Sequence, residues 1–185
     1  MTDDEVTGWA LAAGRGDAAA AAAFVRATQR QVRRFLAHLA GPGELDDLVQ
    51  ETYLRALRSL PGFAGRSHAR TWLYTIARRV AVDQVRAAVV RPRLAPVEDW
   101  QSAADVATAA DRPRFEEHVA LQDLLAGLAP ERREAFVATQ VLGLSYAEAA
   151  EICDCPVGTI RSRVARARED LMTHLAADDR GTGTG

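Results

Sequence analysis

Residues 144–171 read LSYAEAAEICDCPVGTIRSRVARAREDL, and this stretch decides the fold. Ser145 followed by Glu148 is a capping box, in which each residue's side chain satisfies the other's backbone N–H, so a helix is predicted to start there. Ala147, Ala150 and Ile152 give that helix an inward face. Asp154-Cys155-Pro156 stops it and opens the next one, because proline suits a first helical position and disrupts a later one. At about 100° per residue, Val157, Ile160, Val164, Ala167 and Leu171 of the second helix share a narrow arc. Arg161, Ser162, Ala165, Arg166 and Arg168 lie opposite, with Arg163 at the edge. A helix, a sharp turn and a second helix with an arginine face form a helix-turn-helix, whose second helix fits a DNA major groove. An arginine-rich face is also found on ordinary solvated helices. Here its only acidic neighbours, Glu169 and Asp170, stand at the far end, and arginine can pair bidentately with guanine or phosphate.

The charge pattern supports a polyanionic partner. The 185 residues, enough for one or two small domains, have a formal net charge of −2 and contain no lysine; all 23 basic residues are arginine. Residues 52–93 hold 9 Arg against 1 Asp, and residues 156–170 hold 4 Arg against 2 acids. Between them, residues 94–155 hold 12 acids against 4 Arg. Two basic blocks separated by an acidic one suit binding to a polyanion at two places. No apolar run is long enough to span a membrane, and the acidic start MTDDEVTGWA lacks a signal-peptide pattern, so a cytoplasmic protein is expected. Cys153 and Cys155 match neither a zinc ribbon nor a thioredoxin motif, and His38, His68, His118 and His174 are scattered. Neither a metal site nor a disulfide is expected, and one of the two cysteines should pack inward at the turn.

Upstream the chain reads as helical throughout. Residues 4–40 have apolar positions at three-to-four spacing, from Trp9 and Leu11 to Phe35, Leu36 and Leu39. Gly41-Pro42-Gly43 breaks the chain, and a helix from Leu45 to Leu60 follows, with Leu45, Leu48, Val49, Ala56, Leu57 and Leu60 inward. A loop over residues 61–65 leads to a helix from Arg70 to about Ala88, with Trp72, Leu73, Ile76, Ala77 and Val80 inward. Residues 91–113 contain three prolines and poor periodicity, and read as a flexible linker. Phe115–Leu128, with Val119, Leu121, Leu124, Leu125 and Leu128, and Glu131–Leu142 are two further helices. The last residues, 177–185, read as a disordered tail. The fold class is therefore all-α: two small helical domains at 1–90 and 114–176.

Three motifs carry a family resemblance: DDLVQETYLRAL at 46–57, GRSHARTWLYTIARRVAVDQVR at 65–86, and the helix-turn-helix run from Leu144. Together, in this order and spacing, they resemble the group IV, or extracytoplasmic-function, sigma factors of bacterial RNA polymerase, and within them the actinobacterial sigma factor C-like group. The resemblance implies an alternative sigma factor that brings core polymerase to specific promoters and assists their opening. It makes residues 1–90 sigma region 2 and residues 114–176 sigma region 4.

The same resemblance assigns roles to residues. Asp46, Asp47, Gln50 and Glu51, on the polar side of an otherwise apolar-faced helix, would dock on the coiled coil of the polymerase β′ subunit; region 4 would meet the β flap. Phe63, Arg66, Ser67 and His68 in a loop, with Thr75, Arg78, Arg79, Asp83 and Arg86 on the following helix, would hold the opened strand of the minus-ten element. A loop can accept a base swung out of the stack while nearby arginines hold the backbone. Relatives often carry Asn where this chain has Arg79, which bears on minus-ten specificity. The spacing of Trp72 with Ile76 and Val80 favours core packing over base contact. On the recognition helix, Thr159, Arg161, Ser162, Ala165 and Arg166 would meet the minus-thirty-five element, and Arg163 and Arg168 its phosphates.

Promoter DNA and core polymerase are the expected partners, and exposed faces on both domains leave room for an anti-sigma factor. No cofactor, small-molecule substrate or membrane insertion is expected. The rival reading is a two-domain helix-turn-helix regulator acting without polymerase. A response regulator would need an α/β receiver, and residues 1–90 have no strand pattern. An enzyme would need a nucleophile and base at a useful spacing, which Cys153 and the histidines do not provide.

Overall fold

In the computed structural model, α1 (Asp3–Gly14) and α2 (Ala18–Ala37) divide the stretch that the sequence reads as continuously helical. The break has a local cause. Gly16 adopts φ +97°, a left-handed conformation, and the Asp17 carboxylate accepts a hydrogen bond from Ala20 N at 3.0 Å, which caps the new helix. Gly14 also has to be glycine: an added Cβ would stand 2.5 Å from the Leu60 carbonyl oxygen. The structure describes residues 2–40, 43–90, 121 and 123–181. The expected linker at 91–113 lies outside them, as do Val119 and the last four residues of the expected tail.

Helices α3 (Leu45–Ser59) and α4 (Ala69–Val90) complete the N-terminal bundle, joined by a 3₁₀ turn at Leu60–Gly62. Phe24, Phe35, Leu36 and Leu73 are fully buried between the helices. Burying each such side chain contributes roughly 1.5–3 kcal/mol before entropy is counted. Phe35 meets Tyr74 edge-on at 5.1 Å, and the Thr28 and Tyr53 hydroxyls lie 2.8 Å apart in the core. Burial pushes both tyrosine hydroxyls up to about 12. One position departs from the sequence reading. Leu57 is exposed, and Tyr53 and Thr52 take the buried positions. Its place at the edge of the apolar arc leaves it past the line of contact with α2 and α4.

The C-terminal half begins with described residues 121 and 123–126, all helical, of which Leu121 faces solvent and Leu125 is buried. Helix α5 (Pro130–Phe136) follows and widens into a π-turn at Val137–Val141, where Leu142 N donates to Val137 O at 3.0 Å. Then come α6 (Tyr146–Cys153) and α7 (Val157–Gly181). Ile160 and Val164 are buried in one cluster with Ala149, Ala150 and Cys153, and Ala167 and Ile152 are buried in the larger core, as the helical wheel requires. Ala147 and Val157 are exposed, however: each lies in the first turn of its helix, before the two helices converge. Helix α7 also runs to Gly181, past the expected end of order at Ala176, because Ala176 and Ala177 extend a helix readily. No strand occurs among the described residues.

The two halves share one core. The buried cluster around Phe24 and Leu73 continues through Leu125, Leu128, Val137, Ile152 and Ala167 of the C-terminal half. The contact is made by α4 lying against α6.

Candidate nucleic-acid interface

The helix-turn-helix forms as its sequence demands. Ser145 N donates to Glu148 Oε2 at 2.8 Å, and Glu148 N donates to Ser145 Oγ at 3.2 Å, closing the capping box. Asp154 ends α6 in the left-handed conformation (φ 50°, ψ 53°), while Cys155 N returns to the Ala150 carbonyl at 3.1 Å. The Pro156 carbonyl then accepts from Thr159 N at 2.9 Å and starts α7. Cys153 is buried and Cys155 half-buried, both as free thiols. Burial pushes the Cys153 thiol up to about 11.

On α7, Arg161, Ser162, Ala165, Arg166 and Arg168 are exposed, and Thr159 and Arg163 are half-buried. Arg161 and Arg166 form no ion pair or side-chain hydrogen bond among the described residues, so their guanidinium groups are free to meet a ligand. Arg163 Nη1 donates to Cys155 Sγ at 3.6 Å, and Arg168 Nη2 donates to Gln140 Oε1 at 2.8 Å.

The loop and helix of the N-terminal half are arranged differently. Arg66, His68, Arg79 and Arg86 are exposed, and Ser67 and Thr75 half-buried. Phe63 packs on Trp72 with ring centroids 4.9 Å apart, and both lean on the core, in line with the core reading of Trp72. Asp83 is bound to Arg55 at 2.8 Å. Arg78 is not free: its Nε donates to Glu134 Oε2 at 2.8 Å, across the contact between the two halves. Burial disfavours the Arg78 charge, but the hydrogen bond and negative charge of buried Glu134 outweigh it and hold the guanidinium above its ordinary range. Sequence gave no sign of this pair, since 56 residues separate its members.

On α3, Asp46, Asp47 and Gln50 are exposed and Glu51 half-buried. Asp46 pairs with Arg33, and Glu51 with Arg55 at 2.7 Å. Asp47 and Gln50 have no side-chain partner among the described residues. The α3 face therefore presents a carboxylate and an amide outward, beside a surface ion pair. Among the described residues no cluster of His, Cys, Asp and Glu is arranged to hold a metal ion, and no helix is long and apolar enough to cross a membrane.

Sigma-70 region 2 matches residues 24–89, and Sigma-70 region 4 matches residues 118–171. Over 179 residues the chain is 48% identical to the ECF RNA polymerase sigma factor SigC of Mycobacterium tuberculosis, covering 96% of this chain and 95% of that one. The chain belongs to the ECF sigma factors. The ECF sigma-E factor of Escherichia coli is 33% identical over 166 residues, 85% of this chain and 87% of its own. The sigma factor RpoE of Bartonella quintana, solved in complex with the anti-sigma factor NepR, is 28% identical with a TM-score of 0.63, covering 83% of this chain and 95% of that one. CnrH, solved with the cytosolic domain of CnrY, has the same fold: TM-score 0.74 at 24% identity, covering 94% and 99%. An ECF sigma factor acts with core RNA polymerase, which decides against a helix-turn-helix regulator working alone. In this sigma factor the region 4 match reaches Leu171 on α7, and the first two motifs fall on α3 and on α4 with its preceding loop.

Proposed function

We propose that this sigma factor docks on the β′ coiled coil of core polymerase through Asp46, Asp47, Gln50 and Glu51 of α3. Its region 4, residues 114–176, reads the minus-thirty-five element and meets the β flap. Its region 2, residues 1–90, captures the opened minus-ten strand with the loop at 63–68 and with Thr75, Arg78, Arg79, Asp83 and Arg86. The observation that supports this best is the placement of free cations: Arg79 and Arg86 on α4, and Arg161 and Arg166 on α7, are exposed and unpaired among the described residues. Arginines on two helices far apart in sequence suit two separate promoter elements. A carboxylate and an amide on α3 suit a basic helical partner, where such pairs set register as well as affinity.

The chain performs no chemistry of its own; nucleotides and metal belong to the polymerase. Its place of action is the cytoplasm. The exposed α3 and α7 faces also suit an anti-sigma factor, the class of partner bound to the Bartonella quintana relative. Run-off transcription with purified core polymerase on a genomic promoter library tests the function and reads out the promoter elements. In the same assay, Asp47→Arg combined with Gln50→Ala is expected to abolish core binding and leave the helical circular-dichroism signal unchanged. Normal co-purification of that variant with core polymerase would refute the docking face.

A further inference from the structure

Arg168 stands in a different position from the other outward arginines of α7. Its Nη2 donates to Gln140 Oε1 at 2.8 Å, Gln140 Nε2 donates to Thr139 Oγ1 at 3.0 Å, and Thr139 Oγ1 donates to the Ala135 carbonyl at 2.8 Å. The chain of bonds runs from an exposed guanidinium to buried backbone. It passes through the π-turn, whose wider winding rotates Gln140 away from where a continued α-helix would put it. A second bond ties the same two helices: Arg132 Nη1 meets Asp170 Oδ2 at 2.6 Å. Helix α5 and its π-turn are thus held to α7 at both residue 168 and residue 170.

We propose that Gln140 is a positioning residue for DNA binding: it pre-orients Arg168 as a phosphate contact of the recognition helix. The inference rests on the reading of α7 as that helix. Residues near the N-terminus of a recognition helix meet base edges, and Arg168 lies about two turns beyond Arg161, where a sugar–phosphate contact is expected. An arginine loses much rotamer freedom when it grips a phosphate. A bond already made in the free protein removes part of that loss, and Gln140 supplies one without neutralising the charge. Glutamate at this position would also hold Arg168, but its charge would compete with the phosphate.

The test measures equilibrium binding of the full chain, assembled with core polymerase, to promoter DNA over a salt series. The same DNA with the minus-thirty-five element scrambled is measured alongside. Gln140→Ala is expected to weaken binding to both DNAs alike, by roughly two- to tenfold, with the salt slope unchanged because the Arg168 charge remains. Arg168→Ala is expected to weaken both alike and to flatten the slope by about 0.9. The double variant should bind as Arg168→Ala does. A merely structural glutamine would not give this non-additivity, and Gln140 is exposed, so its truncation should leave the melting temperature unchanged. Wild-type binding by Gln140→Ala, or losses that simply multiply in the double variant, would overturn the proposal. An unaffected Arg168→Ala would also overturn it. In each case Arg166→Ala distinguishes the two levels: if this substitution costs more on the matching DNA than on the scrambled one, the recognition helix stands and only the role of Gln140 falls. If it does not, the reading of α7 itself is wrong.

Discussion

Helices α4 and α7 carry the same kind of outward arc, and the fold treats them differently. On α7, Arg161 and Arg166 are free and solvent-facing. On α4, Arg78 is tied to a buried carboxylate and Asp83 to Arg55, which leaves Arg79 and Arg86 as the free cations of that arc. The reason is position. Helix α4 packs against α1, α2 and α3 and also receives α6, whereas the packing of α7 on α5 and α6 leaves its arginine side open. A periodic pattern shows which side of a helix its own domain leaves uncovered. Whether a second domain then covers that side is a separate matter. In this conformation the arginine side of α7 is presented while part of the candidate minus-ten helix is occupied.

The largest test of this contrast acts beneath α7. Ile160 is fully buried under the recognition helix, so Ile160→Asp should unfold the C-terminal half, since an unpaired buried charge costs several kcal/mol. The matching change on α4, Val85→Asp at a residue 55% exposed, should leave the stability within about 0.5 kcal/mol of wild type. Equal losses in a thermal melt would mean that the faces are misassigned.

Arg166→Ala comes next. It should cost about 1–3 kcal/mol on a matching minus-thirty-five element and much less on a scrambled one, because a bidentate arginine distinguishes guanine from other bases. A loss of the same size on every sequence would turn Arg166 into a phosphate contact and rotate the helix.

Glu134→Gln addresses the closed side of the comparison. It keeps the shape of the contact and removes the charge that holds Arg78. The free chain should then bind a single-stranded minus-ten oligonucleotide more tightly, roughly fivefold if the charge contributes about 1 kcal/mol to closure. Binding to duplex minus-thirty-five DNA should not change. No gain on the single strand would show that Arg78 is not a limiting contact.

The smallest effect is chemical. Burial raises the Cys153 thiol first, and the Glu134 carboxylate adds to the rise while Arg78 opposes it. With the thiol near 11, only about one Cys153 in a thousand is ionised at pH 8, so half-buried Cys155 should be alkylated first. The sign follows from the raised value. The folded state favours the neutral thiol, so this contribution to stability is present below the ordinary thiol range and is lost as pH rises toward 11. Mass spectrometry of single-hit alkylation checks the order.

Much of this was legible in the chain. The capping box at Ser145 and Glu148, the apolar positions Ile160, Val164 and Ala167, and the opposing arginines are local or periodic features, and they appear as read. The exposed placement of Asp47 and Gln50 follows from the same periodicity. Errors fell at edges. Ala147 and Val157 sit in first turns, Leu57 sits at the margin of an arc, and the break at Gly16 interrupts a run of good helix formers. In each case a wheel gives direction but not the point at which a neighbouring helix comes within reach.

Sequence by itself determined the all-helical class, the helix-turn-helix and the faces of α3, α4 and α7, because hydrogen bonding within a helix and its 3.6-residue period act over a few residues. Tertiary structure alone decided that Arg78 meets Glu134, that Arg168 meets Gln140 through a π-turn, and that one core runs through both halves. Those contacts join residues 28 and 56 positions apart, and nothing in a local pattern fixes which distant side chain will arrive.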